Sequence, residues 1–386
     1  MPVLHLPRTL HVGAGALAEL PAALAQHALA RPFIVTDRFM VQSGLVGRLE
    51  AALAGAGLAF SLFAETTPDP TVAVVEAALA ALRAAGADCV IGFGGGSPID
   101  TAKAVAVLAV HDQPVAAMKT PAVNDAPGLP IIAVPTTAGT GSEATRFTII
   151  TDEASSEKML CAGLGFLPQI AIVDYELTLG KPARLTADTA IDALTHAIEA
   201  YVSRRANAFS DAMALSAMRL IAPHIRTACA DGANRPAREA LMVGAHHAGI
   251  AFSNASVALV HGMSRPIGAF FHVAHGLSNA MLLPVVTRFS APAALGRYAA
   301  CARAMGVAGE AEGDQAAVAR LLGELEALNA DLGVPSPAAY GIDKARYFAL
   351  IPQMAAQALA SGSPGNNPLV PDAAEIAALY ESAFGA

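Results

Sequence analysis

The chain has 386 residues, of which 54% are hydrophobic and 15% charged, a balance that supplies large buried cores and excludes intrinsic disorder. This length exceeds one ordinary core and therefore predicts two domains. The formal net charge of −8 argues against a nucleic-acid partner, because a phosphate backbone requires a basic surface.

The start of the chain, Met1 to Leu20, has no basic segment followed by a sustained apolar run, so we expect no signal peptide. No run of about 20 apolar residues is free of charges and breakers, which predicts no membrane-spanning helix and no membrane partner. The cysteines are widely scattered and form no CxxC pair; they are Cys89, Cys161, Cys229 and Cys301. Scattered thiols predict a reducing, cytoplasmic location rather than a disulfide framework or a thiolate metal site.

Short apolar runs alternate with Ala-rich helical patterns along the first half of the chain, and this predicts a parallel, doubly wound α/β sheet. Strands are predicted at 32–36, 58–63, 89–93, 130–134 and 169–174, helices at 71–85 and 98–108, and a β-hairpin from 147–152 and 158–161. After Pro182 strand patterns become scarce and helical patterns continue to the C-terminus. We therefore expect a domain boundary near Leu179 to Arg184 and an all-α second domain.

A glycine-rich turn, Gly94-Gly95-Gly96-Ser97, follows an apolar strand and opens a predicted helix. Glycines let backbone N–H groups close on a phosphate without obstruction by Cβ, and a helix N-terminus adds unpaired donors. The arrangement suits a pyrophosphate, and a tight strand-to-helix turn without a ligand explains the same pattern equally well.

A second turn, 135–143, also follows a predicted strand and is rich in glycine and small hydroxyl residues. Two such turns favour a nucleotide site, since ligands of open α/β sheets lie at the carboxyl ends of strands. Asp37 follows another strand, where a carboxylate can accept a hydrogen bond from a ribose 2′-hydroxyl and repel a 2′-phosphate. A helix N-cap is the competing interpretation of Asp37.

Asp192 and His196 lie four residues apart in a predicted helix at 186–202, so both side chains can point at one ion. His261 and His275 bracket the segment HGMSRPIGAFFHVAH. Three imidazoles and one carboxylate form a suitable ligand set for a divalent metal, and ligand type alone does not choose between iron and zinc. A helical histidine is, however, more often a packed or solvated residue than a ligand.

Five motifs occur in the order and at the spacings of one family: GGGSPIDTAK (94–103), PTTAGTGSE (135–143), DALTHAIEAY (192–201), HGMSRPIGAFFHVAHGLSN (261–279) and GNNP (365–368). Over nearly the whole chain the sequence thus resembles the iron-containing (group III) alcohol dehydrogenases. The resemblance implies a dinucleotide-binding α/β domain at 1–180, an all-helical metal-binding domain at 181–386, and a catalytic cleft between them.

The resemblance also implies the cofactors and their contacts. Asp192, His196, His261 and His275 are the implied ligands of Fe²⁺ or Zn²⁺. The implied NAD contacts are Asp37, Gly95, Gly96, Ser97, Asp100, Thr136, Thr137, Thr145 and Lys158. Asp69 stands where many relatives have asparagine. The implied activity is reversible hydride transfer between NAD(H) and a small alcohol or aldehyde, in a homodimer or larger homo-oligomer.

The main departure from the family pattern is Arg265, where many alcohol-specific relatives carry a histidine that is thought to relay a proton or contact the nicotinamide. Arginine does not titrate near neutrality. Three roles for Arg265 stay open: binding a substrate carboxylate, forming a structural ion pair, or contacting the cofactor. The first would make the enzyme a hydroxy-acid or semialdehyde dehydrogenase, and His272 is then a candidate proton relay. The other alternative is an NAD- and metal-dependent sugar-phosphate cyclase resembling dehydroquinate synthase, which shares this architecture.

Overall fold

The computed structural model describes residues 3–155 and 157–385 of the chain. The described residues form two compact units, Val3–Leu179 and the part from Gly180 onward. No helix in the described ranges is long and apolar enough to cross a lipid bilayer. The four cysteines, all of which are described, are free thiols.

The first unit contains eight strands among its described residues. They are β1 (Thr9–Val12), β2 (Pro32–Val35), β3 (Ser61–Phe63), β4 (Cys89–Gly94), β5 (Ile131–Pro135), β6 (Phe147–Asp152), β7 (Glu157–Ala162) and β8 (Ile170–Val173). Six of them form one parallel sheet in the spatial order β1-β8-β5-β4-β2-β3. Strands β6 and β7 pair antiparallel to each other in a separate sheet.

Helices cover both faces of the six-stranded sheet. They are α1 (Leu20–Gln26), α2 (Arg38–Gln42), α3 (Leu45–Gly55), α4 (Val72–Ala85) and α5 (Gly96–Leu108). Side chains alternate across a strand, so Ile34 and Ile91 pack in one apolar core with α1 and α3. Phe33 and Val90 pack in a second core with α4 and α5. The sheet is therefore doubly wound, as the alternation of apolar runs predicts.

The expected strands in the first unit are present, with β2, β3 and β8 shorter than their predicted ranges. The predicted β-hairpin is present as β6 and β7. Helices α4 and α5 match the predicted ranges closely; Thr71 accepts a hydrogen bond from Val74 N and so caps α4. The edge strand β1 and the helices α1, α2 and α3 were not predicted from the sequence.

The second unit contains helices and connecting loops, and no strand, among its described residues. Its helices are α6 (Ala183–Val202), α7 (Ala208–Ile221), α8 (Ile225–Ala230), α9 (Arg235–Ala255), α10 (Leu259–Phe271), α11 (His275–Ser290), α12 (Leu295–Ala304), α13 (Asp314–Asp331), α14 (Lys344–Ala360) and α15 (Ala373–Ala383). Helix α6 packs against α7, α9 and α11, and α10 packs against α11. Most of α6 is buried, so its polar residues face other helices rather than water.

Candidate functional site

Three helices of the second unit bring the four predicted metal ligands together. Asp192 and His196 lie one turn apart on α6, His261 is in the first turn of α10, and His275 begins α11. One possible ligand atom from each lies within 4.8 Å of the other three. Asp192 Oδ1 is 3.5 Å from His261 Nε2 and 3.7 Å from His275 Nε2. The side chain of His275 is 37% exposed, whereas the other three residues are buried, so the cluster opens toward solvent at His275.

Glu199 orients His261. It lies on α6 at the position seven residues after Asp192, which places it on the same helix face. Its Oε2 is 2.6 Å from His261 Nδ1, and its two oxygens also accept hydrogen bonds from the backbone N–H groups of Ala258 and Val260. Because Glu199 holds Nδ1, the opposite nitrogen, Nε2, is the one directed at Asp192. Sequence reasoning missed Glu199, although its helical spacing could have indicated it.

Asn279 contacts three of the four ligand atoms. It lies one turn after His275 on α11, and its Nδ2 is 2.6 Å from Asp192 Oδ1, 3.1 Å from His261 Nε2 and 3.3 Å from His275 Nε2. An amide nitrogen is a hydrogen-bond donor, so these three atoms offer lone pairs to a common point. Sequence reasoning missed this residue as well.

The electrostatics of the cluster favour a positive charge at its centre. Burial alone would raise the pKa of Asp192, but the imidazoles of His196, His275 and His261 outweigh burial and hold it well below its usual value. Burial also opposes a charge on His261, yet the carboxylates of Glu199 and Asp192 raise the pKa of His261 to about 9. A carboxylate that stays ionised and three imidazole nitrogens in a buried cluster are a donor set that fits Fe²⁺ or Zn²⁺.

In the first unit, the glycine-rich turn connects β4 to α5. Gly94 has a φ of +150°, and a Cβ on it would lie 2.7 Å from Pro98 Cγ. A Cβ on Gly96 would lie 3.0 Å from Thr140 Cγ2, so the two predicted turns pack closely together. Ser97 lies in the first turn of α5, and no side chain caps this helix. Its first backbone N–H groups therefore remain available to an anion or to water.

The predicted nucleotide residues lie at one edge of the sheet. Strands β2, β4 and β5 are neighbours, and their carboxyl ends lead into Asp37, the glycine-rich turn and Thr136 respectively. The strand order reverses here, because the chain passes from β2 outward to β3 and then returns to β4 on the other side of β2. Such a reversal is the usual ligand-binding position in open α/β sheets.

Asp37 is the N-cap of α2, and its Oδ1 accepts a hydrogen bond from Met40 N at 2.8 Å. The helix N-cap that the sequence also indicated for Asp37 is therefore present, and it uses one of the two carboxylate oxygens. Thr136 is buried, and its hydroxyl lies 3.3 Å from Met40 Sδ. Thr137 lies beside Gly95, 3.6 Å from the position of a Cβ on that glycine.

Asp100 ties α5 to the segments that follow β5. Its Oδ1 accepts from Ser142 Oγ at 2.8 Å, and its Oδ2 accepts from Ile149 N at 3.0 Å. Burial raises the pKa of Asp100, and these hydrogen bonds oppose that shift. Both carboxylate oxygens thus accept hydrogen bonds from within the chain, so Asp100 stabilises the segments that follow β5.

Lys103 and Lys158 are each held by other residues of the first unit. Lys103 is fully buried, and its Nζ donates to the carbonyl and hydroxyl oxygens of Thr145, each at 3.0 Å, and to Phe147 O at 2.7 Å. Lys158 forms an ion pair of 2.8 Å with Asp69. The structure therefore links Asp69, the residue that departs from the family pattern, to one of the predicted cofactor contacts.

Arg265 and His272 both lie on α10 or at its end, outside the four-residue cluster. Arg265 is one turn after His261, and its Nε is buried without a hydrogen-bond partner. His272 is exposed and ends α10 in the left-handed conformation, with a φ of +55°. The structural ion pair considered for Arg265 is not present among the described residues.

Two protein-family models match the chain. The model described as iron-containing alcohol dehydrogenase covers residues 7–175, and that of the C-terminal region of the Fe-containing alcohol dehydrogenase family covers residues 186–384. The lactaldehyde reductase of Escherichia coli (strain K12) is 36% identical over 382 residues, which are 98% of each chain.

Solved structures agree with these matches. A 1,3-propanediol oxidoreductase has a TM-score of 0.95 and 34% identity, with 100% of both chains covered. A sulfoacetaldehyde reductase from Bifidobacterium kashiwanohense, solved in complex with NAD⁺, has a TM-score of 0.89 and 28% identity, covering 100% of this chain and 99% of that one.

Proposed function

Because the chain belongs to the family of iron-containing alcohol dehydrogenases, we propose that it catalyses reversible, metal-dependent hydride transfer between NAD(H) and a small alcohol or aldehyde. The observation that carries this function is the convergence of Asp192, His196, His261 and His275 within 4.8 Å. Relatives named for lactaldehyde, 1,3-propanediol and sulfoacetaldehyde support a small oxygenated substrate.

In the oxidative direction, the carbinol carbon loses a hydride to C4 of the nicotinamide, and the hydroxyl proton passes to solvent. Alcohol and NAD⁺ thus become aldehyde, NADH and a proton. A bound Fe²⁺ or Zn²⁺ would supply Lewis acidity, which would lower the pKa of the substrate hydroxyl and, in the reverse direction, polarise the carbonyl.

The chain's own residues hold and orient the groups of this reaction. Asp192, His196, His261 and His275 would hold the metal, with Asp192 ionised by virtue of its lowered pKa. Glu199 acts through His261, whose ring it fixes with Nε2 toward the cluster. His272 is exposed at the end of α10, and it stays our candidate relay.

We assign the dinucleotide to a domain at residues 1–180 and the metal to a domain at residues 181–386. The uncapped N-terminus of α5 and the glycine-rich turn suit a pyrophosphate. Asp37 follows β2, and its Oδ1 already accepts a hydrogen bond from Met40 N. Its second carboxylate oxygen suits the 2′-hydroxyl of the NAD ribose, and its negative charge disfavours the 2′-phosphate of NADP. The other proposed contacts are Gly95, Gly96, Ser97, Asp100, Thr136, Thr137, Thr145 and Lys158.

We further propose a homodimer or larger homo-oligomer in the cytoplasm. The edge strand β1 supports self-association, because it carries Leu10 and Val12 with 42% and 45% of their surfaces exposed. The free thiols support a reducing compartment. Light scattering on the purified protein tests the first assignment, and a monomer would contradict it.

The function is tested by NADH formation from a panel of small alcohols, with metal content measured by mass spectrometry. His261→Ala should lose most bound metal and nearly all activity. His224→Ala provides the matched control, because His224 lies outside the cluster in the same unit. Unchanged metal content in His261→Ala would contradict the assignment of the site. NADH that accumulates with the aldehyde also separates this reaction from that of a cyclase, which regenerates its NAD.

A further inference from the structure

Arg265 is a cation on α10, the helix that carries His261, and it forms no ion pair among the residues that the structure describes. It lies one helical turn after His261, and residues four apart share a helix face. Its Nε is buried and donates no hydrogen bond, and no acidic side chain in ranges 3–155 and 157–385 forms an ion pair with Arg265. Buried guanidinium groups are ordinarily hydrogen-bonded or paired, since desolvation of an unpaired charge is costly.

The nearest acidic group does not fill this role. Glu199 attracts Arg265, but its carboxylate already accepts hydrogen bonds from Ala258 N, Val260 N and His261 Nδ1. Burial lowers the pKa of Arg265, and the attraction of Glu199 opposes that shift. Arginine stays charged at neutral pH despite this lowered pKa. The positive charge of Arg265 is therefore available to a bound anion.

We propose that Arg265 binds a carboxylate of the substrate, so that the enzyme oxidises short hydroxy acids and reduces the corresponding semialdehydes. This inference rests on the proposed function. The planar guanidinium matches a carboxylate in two parallel hydrogen bonds, which lysine or histidine cannot reproduce. The reacting hydroxyl carbon then loses its hydride to NAD⁺ and the hydroxyl proton goes to solvent, while the carboxylate is unchanged.

The position of Arg265 also sets the size of the substrate. Since Arg265 and His261 are separated by one turn of α10, the hydroxyl and the carboxylate must be joined by a short chain. Matched pairs of increasing length serve as probes: 3-hydroxypropanoate with 1-propanol, and 4-hydroxybutanoate with 1-butanol. Within each pair the reacting end and the number of carbons are the same, and the terminal carboxylate of the acid replaces the methyl group of the alcohol.

The test compares kcat/KM for both members of each pair in the metal-loaded wild type, Arg265→Gln and Arg265→Lys. In the wild type the hydroxy acid should be preferred in at least one pair. Arg265→Gln should lower kcat/KM for that hydroxy acid about ten-fold or more, the scale of one charge-assisted pair, and leave the plain alcohol within about two-fold. Arg265→Lys should restore part of the loss. Arg288→Gln is the control, because Arg288 is exposed and pairs with Glu326.

A second readout does not depend on turnover. Calorimetry measures the Kd of succinate, a carboxylate that cannot be oxidised here, and Arg265→Gln should weaken it about ten-fold. Equal losses for acid and alcohol, or no preference for any hydroxy acid in the wild type, would overturn the proposal. If the proposed function itself fails, no alcohol will reduce NAD⁺ even in the wild type, whereas succinate binding still reports on Arg265. If the Tm shows that Arg265→Gln unfolds, kcat/KM for the hydroxy acid and the alcohol is compared in Arg265→Lys and Arg265→His instead.

Discussion

Glu199 Oε2 lies 2.6 Å from His261 Nδ1, and the pair joins the last turn of α6 to the first turn of α10. The same carboxylate accepts from the backbone N–H groups of Ala258 and Val260, at 2.9 and 2.5 Å. It therefore satisfies donors at the start of α10 and fixes the ring of a metal ligand at once. One side chain thus couples the packing of two helices to the geometry of the metal cluster.

Glu199→Gln should weaken metal binding about 10- to 100-fold, because the neutral amide loses the charge that orients and polarises His261. Competition with a chelator of known affinity measures this loss directly. Glu326→Gln is the matched control, since Glu326 is exposed and contacts Arg288 rather than the cluster. An unchanged affinity in Glu199→Gln would show that the contact has no part in holding the metal.

Gly276→Ala should separate α11 from α6. A Cβ at Gly276 would overlap the carbonyl oxygen of Asp188, one turn before Asp192, so α11 must shift and take His275 with it. We expect about 1–3 kcal/mol of lost stability and a measurable fall in metal affinity. Gly323→Ala on α13 meets nothing within 4 Å and should cause neither change. Equal metal affinity in the two variants would contradict the close approach of α11 to α6.

The sequence predicts those parts of the fold that local patterns determine. Strands β2 and β4 are uninterrupted apolar runs bounded by turn residues, and both are fully buried, so their hydrophobicity alone indicates them. By contrast, Leu10 and Val12 of β1 are exposed because this strand lies at the sheet edge. Its strand conformation depends on pairing with β8, which no local pattern records.

The same distinction applies to the site. The four-residue spacing of Asp192 and His196 places both side chains on one helix face, which allows a shared ion, and the resemblance to the family's motifs implied the full ligand set. The role of Glu199 depends on His261, which is 62 residues away in the chain. Asn279 likewise reaches Asp192 across 87 residues. Such contacts arise from the packing of α6, α10 and α11, so single-sequence patterns did not reveal them.

Asp37 has two roles that different substitutions separate. Asp37→Ser keeps a side chain able to cap α2 and removes the charge, so it should lower the preference for NAD over NADP while Tm changes little. Asp37→Ala loses the charge and the cap, and should also cost about 0.5–2 kcal/mol of stability. The ratio of kcat/KM for the two cofactors measures the preference. Equal use of both cofactors by the wild type would contradict the role assigned to Asp37.

Lys103 should make the stability of the first unit depend on pH. Burial lowers the pKa of Lys103 from 10.5 to about 8, against the attraction of Asp100 and Glu143. Between these values the unfolded chain binds more protons than the folded one, so the contribution of Lys103 to the free energy of unfolding increases as pH rises from about 8 to 10.5.

Urea unfolding of the wild type and Lys103→Met at a series of pH values measures this contribution. The difference in the free energy of unfolding, wild type minus variant, should rise over that range. At neutral pH, Lys103→Met also leaves the oxygens of Thr145 and Phe147 without their donor. A difference that falls as pH rises would mean that the charged form of Lys103 is favoured in the folded protein.

The central claim is that one divalent ion, held by Asp192, His196, His261 and His275, is required for alcohol oxidation by NAD⁺. The most direct measurement is a titration of metal-depleted protein with Fe²⁺, and separately with Zn²⁺, while initial rates of NADH formation are recorded. The account predicts no activity without metal and a linear rise that ends at about one ion per chain for at least one of the two metals. Full activity in the metal-depleted protein would contradict it.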